Sequence, residues 1–134
     1  MKRTLGILLS AAAALLLCTS CNRVEKSVEA ASEGFMKAYI SMDYEAAAGF
    51  CTAPLAAMLT EGAEGMDEIP PVIMEKMKEA SRETSFRIVS VTVNEEKTGA
   101  VVEMLLKAPG LEKEVPKTLS LLLEGRTALV DAVE

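Results

Sequence analysis

Ser85-Phe-Arg-Ile-Val-Ser-Val-Thr-Val93, then Asn94-Glu-Glu-Lys-Thr-Gly99, then Ala100-Val-Val-Glu-Met-Leu-Leu106 is the stretch that decides the fold. Apolar residues alternate with polar ones on both sides of a polar, glycine-terminated turn, which is the signature of two strands joined as an antiparallel hairpin. Arg87, Val89, Val91 and Val93 read as one face of the first strand, and Ala100, Val102, Met104 and Leu106 as the inward face of the second. Downstream, Pro109-Gly110 makes another turn, Val115, Leu119, Leu121 and Leu123 line a third strand, and Glu124-Gly125 leads into a fourth from about residue 127 to 133. Pro116 has no amide hydrogen to give to a ladder, so the start of the third strand belongs at an edge or bulge.

Upstream the period changes to that of a helix. Val24, Val28, Ala31, Phe35, Ala38 and Met42 recur at three- and four-residue intervals, predicting an amphipathic helix over about 25–41. Asp43 then caps a short helix ending near Phe50 or Cys51, and Thr52 and Pro54 start another with Leu55, Met58 and Leu59 on its apolar side. Glu61-Gly-Ala-Glu-Gly-Met-Asp-Glu68 reads as a polar loop, and Pro70-Pro71 opens a last helix carrying Ile73, Met74, Met77 and Ala80. Helices first and hairpins after give the α+β class: N-terminal helices packed on a curved, mainly antiparallel sheet of about four strands.

The N-terminus carries a different pattern. Lys2 and Arg3 precede an apolar run from Leu5 to Leu17, followed by Cys18-Thr-Ser-Cys21. A basic start, a short apolar core and a small residue before a cysteine describe an export signal cut between Ser20 and Cys21, with Cys21 as the lipid-attachment residue. The expected organisation is a lipoprotein signal peptide over 1–20, a lipidated N-terminus and short tether over 21–26, and a single α+β domain over 27–134. Two or three acyl chains hold a protein on a membrane where one alone is marginal. Asn22, where an Asp would resemble an inner-membrane retention signal, and the lack of an acidic cluster after the cysteine point to the outer membrane and its periplasmic face.

The whole chain of 134 residues has a formal net charge of −6, and losing Lys2 and Arg3 with the signal moves it to −8. An acidic body of this kind repels nucleic-acid phosphate and anionic headgroups, so nucleic acid is excluded as a partner and the membrane is met through the lipid. Of the three cysteines, Cys18 leaves with the signal and Cys21 is acylated, so Cys51 has no partner for an intramolecular disulfide. It reads as a small buried hydrophobe. Histidine is absent, which removes the usual base for a catalytic serine or thiol.

The order of elements, with Ser27-Val-Glu-Ala-Ala31, Phe35, Ala38, Met42-Asp-Tyr-Glu-Ala-Ala47, Phe86-Arg-Ile-Val-Ser-Val-Thr-Val93 and Thr98-Gly-Ala-Val-Val-Glu103, resembles a known family. It is similar to the small bacterial (Bacteroides-type) lipoproteins that carry a nuclear-transport-factor-2-like domain of unknown function. The resemblance implies a cystatin-like, cone-shaped fold enclosing a pocket between sheet and helices. Relatives in the wider superfamily include ketosteroid isomerase and dehydratases, whose pockets combine a carboxylate base with Tyr or Asp donors.

The comparable groups here are Tyr39, Tyr44, Asp43, Glu103 and Asp131. Asp43 reads as a helix cap, the tyrosines as boundary aromatics with wet hydroxyls, and Glu103 and Asp131 as outward strand residues. No catalytic set, cofactor or metal site is therefore assigned. Glu61, Glu64, Asp67 and Glu68 lack the Asp/Asn ladder of a calcium loop, and the methionines lack an accompanying histidine for copper. The pocket is expected among Phe35, Tyr39, Met74, Met77 and Met104. The reading that follows is a non-catalytic binding or accessory module for an apolar small molecule or a protein partner, with a small hydrolase or isomerase using pocket carboxylate and tyrosine groups as the alternative.

Overall fold

Four strands, β1 (Ser85–Val93), β2 (Gly99–Lys107), β3 (Val115–Glu124) and β4 (Thr127–Val133), lie side by side in chain order, each antiparallel to the next. The computed structural model describes residues 23–125 and 127–134. The expectations for Ser20 and Cys21 lie outside that range. Among the described residues five helical segments precede the sheet: α1 over residues 23–40, α2 (Tyr44–Ala48), α3 (Ala53–Gly65), a 3-10 turn (Met66–Glu68) and α4 (Pro71–Glu83). The chain is thus α+β, with N-terminal helices against a four-stranded antiparallel open sheet. No helix among the described residues is long and apolar enough to cross a membrane.

The core forms between α1 and the inner face of the sheet. Val28, Ser32, Phe35 and Met36 are buried on α1, at the spacing of one helical stripe. They meet Val102 and Met104 of β2, Leu119 and Leu121 of β3, and Val130 of β4, each at most 2 % exposed. The alternation expected for β2 and β3 is the one observed. Thr118 exchanges both backbone hydrogen bonds with Glu134, so the nitrogen of Pro116, two residues earlier, points to the same side but beyond the last paired residue of β4. Its missing donor leaves no gap in the ladder.

Strand β1 departs from its expected phase. Ile88 pairs with Met104 and Ser90 with Glu103, which leaves Val89 as the extra residue of a bulge. The inward residues are therefore Phe86 and Ile88 before the bulge and Val91 and Val93 after it. Arg87 points outward, its Nε donating to Glu114 Oε2 at 3.2 Å, and Val89 is 53 % exposed. A second departure is the segment 61–68, which is helical to Gly65 and 3-10 to Glu68 instead of a loop. A glycine within a helix costs about 1 kcal/mol relative to alanine, which weakens a helix without ending it.

The outer edge of β4 is covered by the α2–α3 connection. Val130 N donates to Phe50 O at 2.8 Å and Thr52 N donates to Val130 O at 2.9 Å, a single parallel bridge. Thr52 Oγ1 donates to Asp131 Oδ1 at 2.9 Å, and Asp131 is the extra residue of a second bulge, between the pairs Leu121–Val130 and Ser120–Ala132. The same connection rests on α1 through Phe50. A Cβ at Gly34 would come within 2.5 Å of the Phe50 ring, so glycine is what allows the ring to lie on the helix.

Candidate functional site

The C-terminal end of α1 shapes the site. Asp43 N donates to Ala38 O at 2.9 Å and Met42 N to Tyr39 O at 3.1 Å, the paired bonds of a Schellman motif, with Met42 at φ 61° in the left-handed position. Glycine usually occupies that position because a Cβ there costs about 1–2 kcal/mol. Here the residue is a methionine whose side chain lines a recess. The turn also brings Tyr44 to Tyr39, with ring centroids 5.8 Å apart at 57°, while Tyr39 stacks on buried Phe35 at 5.4 Å and 21°. Three rings thus run from the core to the surface.

Two recesses share Tyr39 and Tyr44. The first, about 290 Å³, lies between the end of α1 and the end of the sheet. Met36, Tyr39 and Met42 form one wall, and Leu106, Lys117 and Val133 the other. The second, about 350 Å³, lies against α3 and α4, with Met58, Leu59, Met66, Ile69 and Met77 around it. Burial pushes the Tyr44 hydroxyl above its ordinary value of 10.0, and the neighbouring Tyr39 adds to the rise. Tyr44 is therefore a neutral hydrogen-bonding group at physiological pH.

Of the five residues expected in a pocket, Tyr39 lines both recesses and Met77 lines the second. Phe35 and Met104 are core, at 0 % and 1 % exposed, and support the recess from beneath. Met74 is half-buried on α4 and lines neither recess. Lys117 was not among the expected residues. It shares the parity of Val115, Leu119, Leu121 and Leu123 on β3 and lies directly opposite Met104 of β2, which places it on the inner face.

The carboxylates have other partners. Asp43 Oδ1 accepts from Ala46 N at 3.2 Å as the cap of α2, Glu103 Oε2 accepts from Ser90 Oγ at 3.1 Å, and Asp131 accepts from Thr52. None of the three lines either recess. Cys51 is buried, its Sγ donating to Ala47 O at 3.2 Å, and burial pushes its thiol up to about 11. A thiol held protonated in this way is a packing group and not a nucleophile at neutral pH. Among the described residues, no three Cys, Asp or Glu side chains gather as a metal site. Comparison with protein-family models, with curated proteins and with solved structures finds no match.

Proposed function

We propose that this chain is a lipid-anchored binding module of the cell envelope, attached through Cys21 to the outer membrane and facing the periplasm, and that its recess beside Tyr39 and Tyr44 takes an apolar ligand. The observation that carries this reading is the lining: methionine, aliphatic and aromatic side chains meet there, and the carboxylates that an acid/base enzyme would need are engaged elsewhere. Methionine side chains repack readily around apolar guests. Volumes of about 290 and 350 Å³ sit at the small end of ligand pockets, roughly 300–1,000 Å³, and suit a single aliphatic chain.

Residue 23, two positions after the proposed anchor, and the recess lie at opposite ends of α1. Arg23 is already helical, and the helix reaches residue 40, a length of roughly 27 Å at 1.5 Å per residue. A protein held at Cys21 would therefore present the recess away from the attachment point, accessible to a ligand or partner in the periplasm. The resemblance to nuclear-transport-factor-2-like lipoproteins agrees with this reading, and membership in that family is part of the proposal.

Two measurements test it. Native mass spectrometry of the full chain extracted from its own membrane should show an apolar adduct that Tyr39→Ala loses; a bare protein that also ignores added fatty acid would refute ligand binding. Radiolabelled palmitate should enter the wild type and not Cys21→Ala. Label retained by the variant would refute the anchor.

A further inference from the structure

We propose that the ligand of the recess is an aliphatic amphiphile with an acidic head, carboxylate or phosphate, and that Lys117 is the residue that holds the head. The inference rests on the binding reading above and names the chemistry of its ligand. Lys117 is a cation on the inner face of a central strand, between the core residue Leu119 and the end of the sheet, directly across from buried Met104. Charged groups are placed on such a face at a cost unless a partner or water meets them. No ion pair to Lys117 forms among the described residues, although the chain holds 20 acidic residues against 14 basic ones. Among the described residues no Asp or Glu lines the recess, and the one charged group on its lining is this lysine.

The surroundings divide into two parts. Met36, Ile40, Leu106 and Val133 offer apolar surface for a chain, while Lys117, with the hydroxyl-bearing Tyr39 and Tyr44 on the same lining, offers donors for a head. A lysine can reach solvent by extending its stem along apolar surface. In this position the stem would lie along the recess wall, so an aliphatic guest covers the stem while its acidic head meets the ammonium. An uncharged guest gains only the first contact and a cationic guest is repelled. The chain as a whole repels anions, so the preference must come from this local cation and not from net charge.

The chain has two tyrosines and no tryptophan, and both tyrosines line the recess, so intrinsic tyrosine emission reports on occupancy directly. The full chain is titrated below micellar concentrations with dodecanoate, dodecyl phosphate, 1-dodecanol and dodecyltrimethylammonium. At least one of the two acidic amphiphiles should bind about tenfold more tightly than the alcohol, as expected for a charge-assisted hydrogen bond, and the ammonium more weakly than the alcohol. Comparing the carboxylate and phosphate arms identifies the head. Lys117→Gln should bring the acids down to the affinity that the same variant shows for the alcohol, and far-ultraviolet circular dichroism shows that the variant is folded. Equal affinity of acids and alcohol in the wild type, or an acid preference that survives in Lys117→Gln, overturns the assignment of Lys117 and leaves the apolar reading standing. Failure of all four to bind overturns both.

Discussion

Helix α1 and the α3–α4 pair are both amphipathic in sequence, yet they are used in opposite ways. On α1, Val28, Ser32, Phe35 and Met36 are fully or almost fully buried against the sheet. On α3 and α4 no residue is buried, and Met58, Val72 and Ile73 are 67 %, 69 % and 50 % exposed. The difference teaches where stability and adaptability are separated. The first helix closes the core, and the later pair forms a methionine-bearing wall that meets the tyrosines from outside.

The comparison is broken most severely from the core side. Leu121→Asp would place a charge on the inner face of β3 at a position 2 % exposed, and should cost more than about 4 kcal/mol, enough to unfold a marginal domain. Phe35→Ala, which also removes the base of the aromatic ladder, should cost about 3–5 kcal/mol. Chemical denaturation followed by far-ultraviolet circular dichroism checks both; an unchanged midpoint for Leu121→Asp would show that the strand faces the other way.

A smaller loss is expected where α1 supports the covered edge of β4. Gly34→Val forces the Phe50 ring off the helix and should cost about 1–3 kcal/mol, and Phe50→Ala in the same chain should relieve part of that loss. Additive losses in the denaturation midpoints would mean that the ring and the helix do not meet.

Alkaline pH probes the same region. The Cys51 thiol is pushed up to about 11 from an ordinary value of 9.0 because burial disfavours the thiolate. The unfolded chain therefore releases this proton first, and the associated stability is full below pH 9 and is lost between pH 9 and about 11. The fall should be on the order of 1–2 kcal/mol from this group, with the raised Tyr44 adding in the same direction above pH 10. Denaturation at pH 8, 9.5 and 10.5 in wild type and Cys51→Ala measures it; an equal slope in both would exclude the thiol as its source. At the weak end, Val72→Ser on the outer side of α4 should shift stability by no more than about 0.5 kcal/mol. A loss comparable to that of Phe35→Ala would erase the contrast between the helices.

Much of this architecture was legible in sequence because β2 and β3 alternate over most of their length and pair without a bulge, Asp43 caps α2 as its position suggests, and prolines mark the starts of α3 and α4. The phase of β1 was not, since Val89 is as apolar as the inward Ile88 and Val91 and only the pairing reveals that it is the extra residue. The continuation of α3 through Gly62 and Gly65 was also hidden, because glycine lowers helix propensity whether or not a helix ends. The recess was legible only at Tyr39 and Met77, as its walls come from positions between 36 and 133 that meet through the sheet register. Lys117 did leave a sequence signal. It breaks the apolar series Val115, Leu119, Leu121 and Leu123 at an inward position.

The most direct test of the central claim is amide hydrogen exchange of the full chain with and without saturating dodecanoate. Occupancy of the recess predicts added protection at residues 36–44, 104–108 and 115–119, the elements that wall it. No change on ligand addition, or protection confined to the outer edge of β1, would contradict a binding site beside Tyr39 and Tyr44.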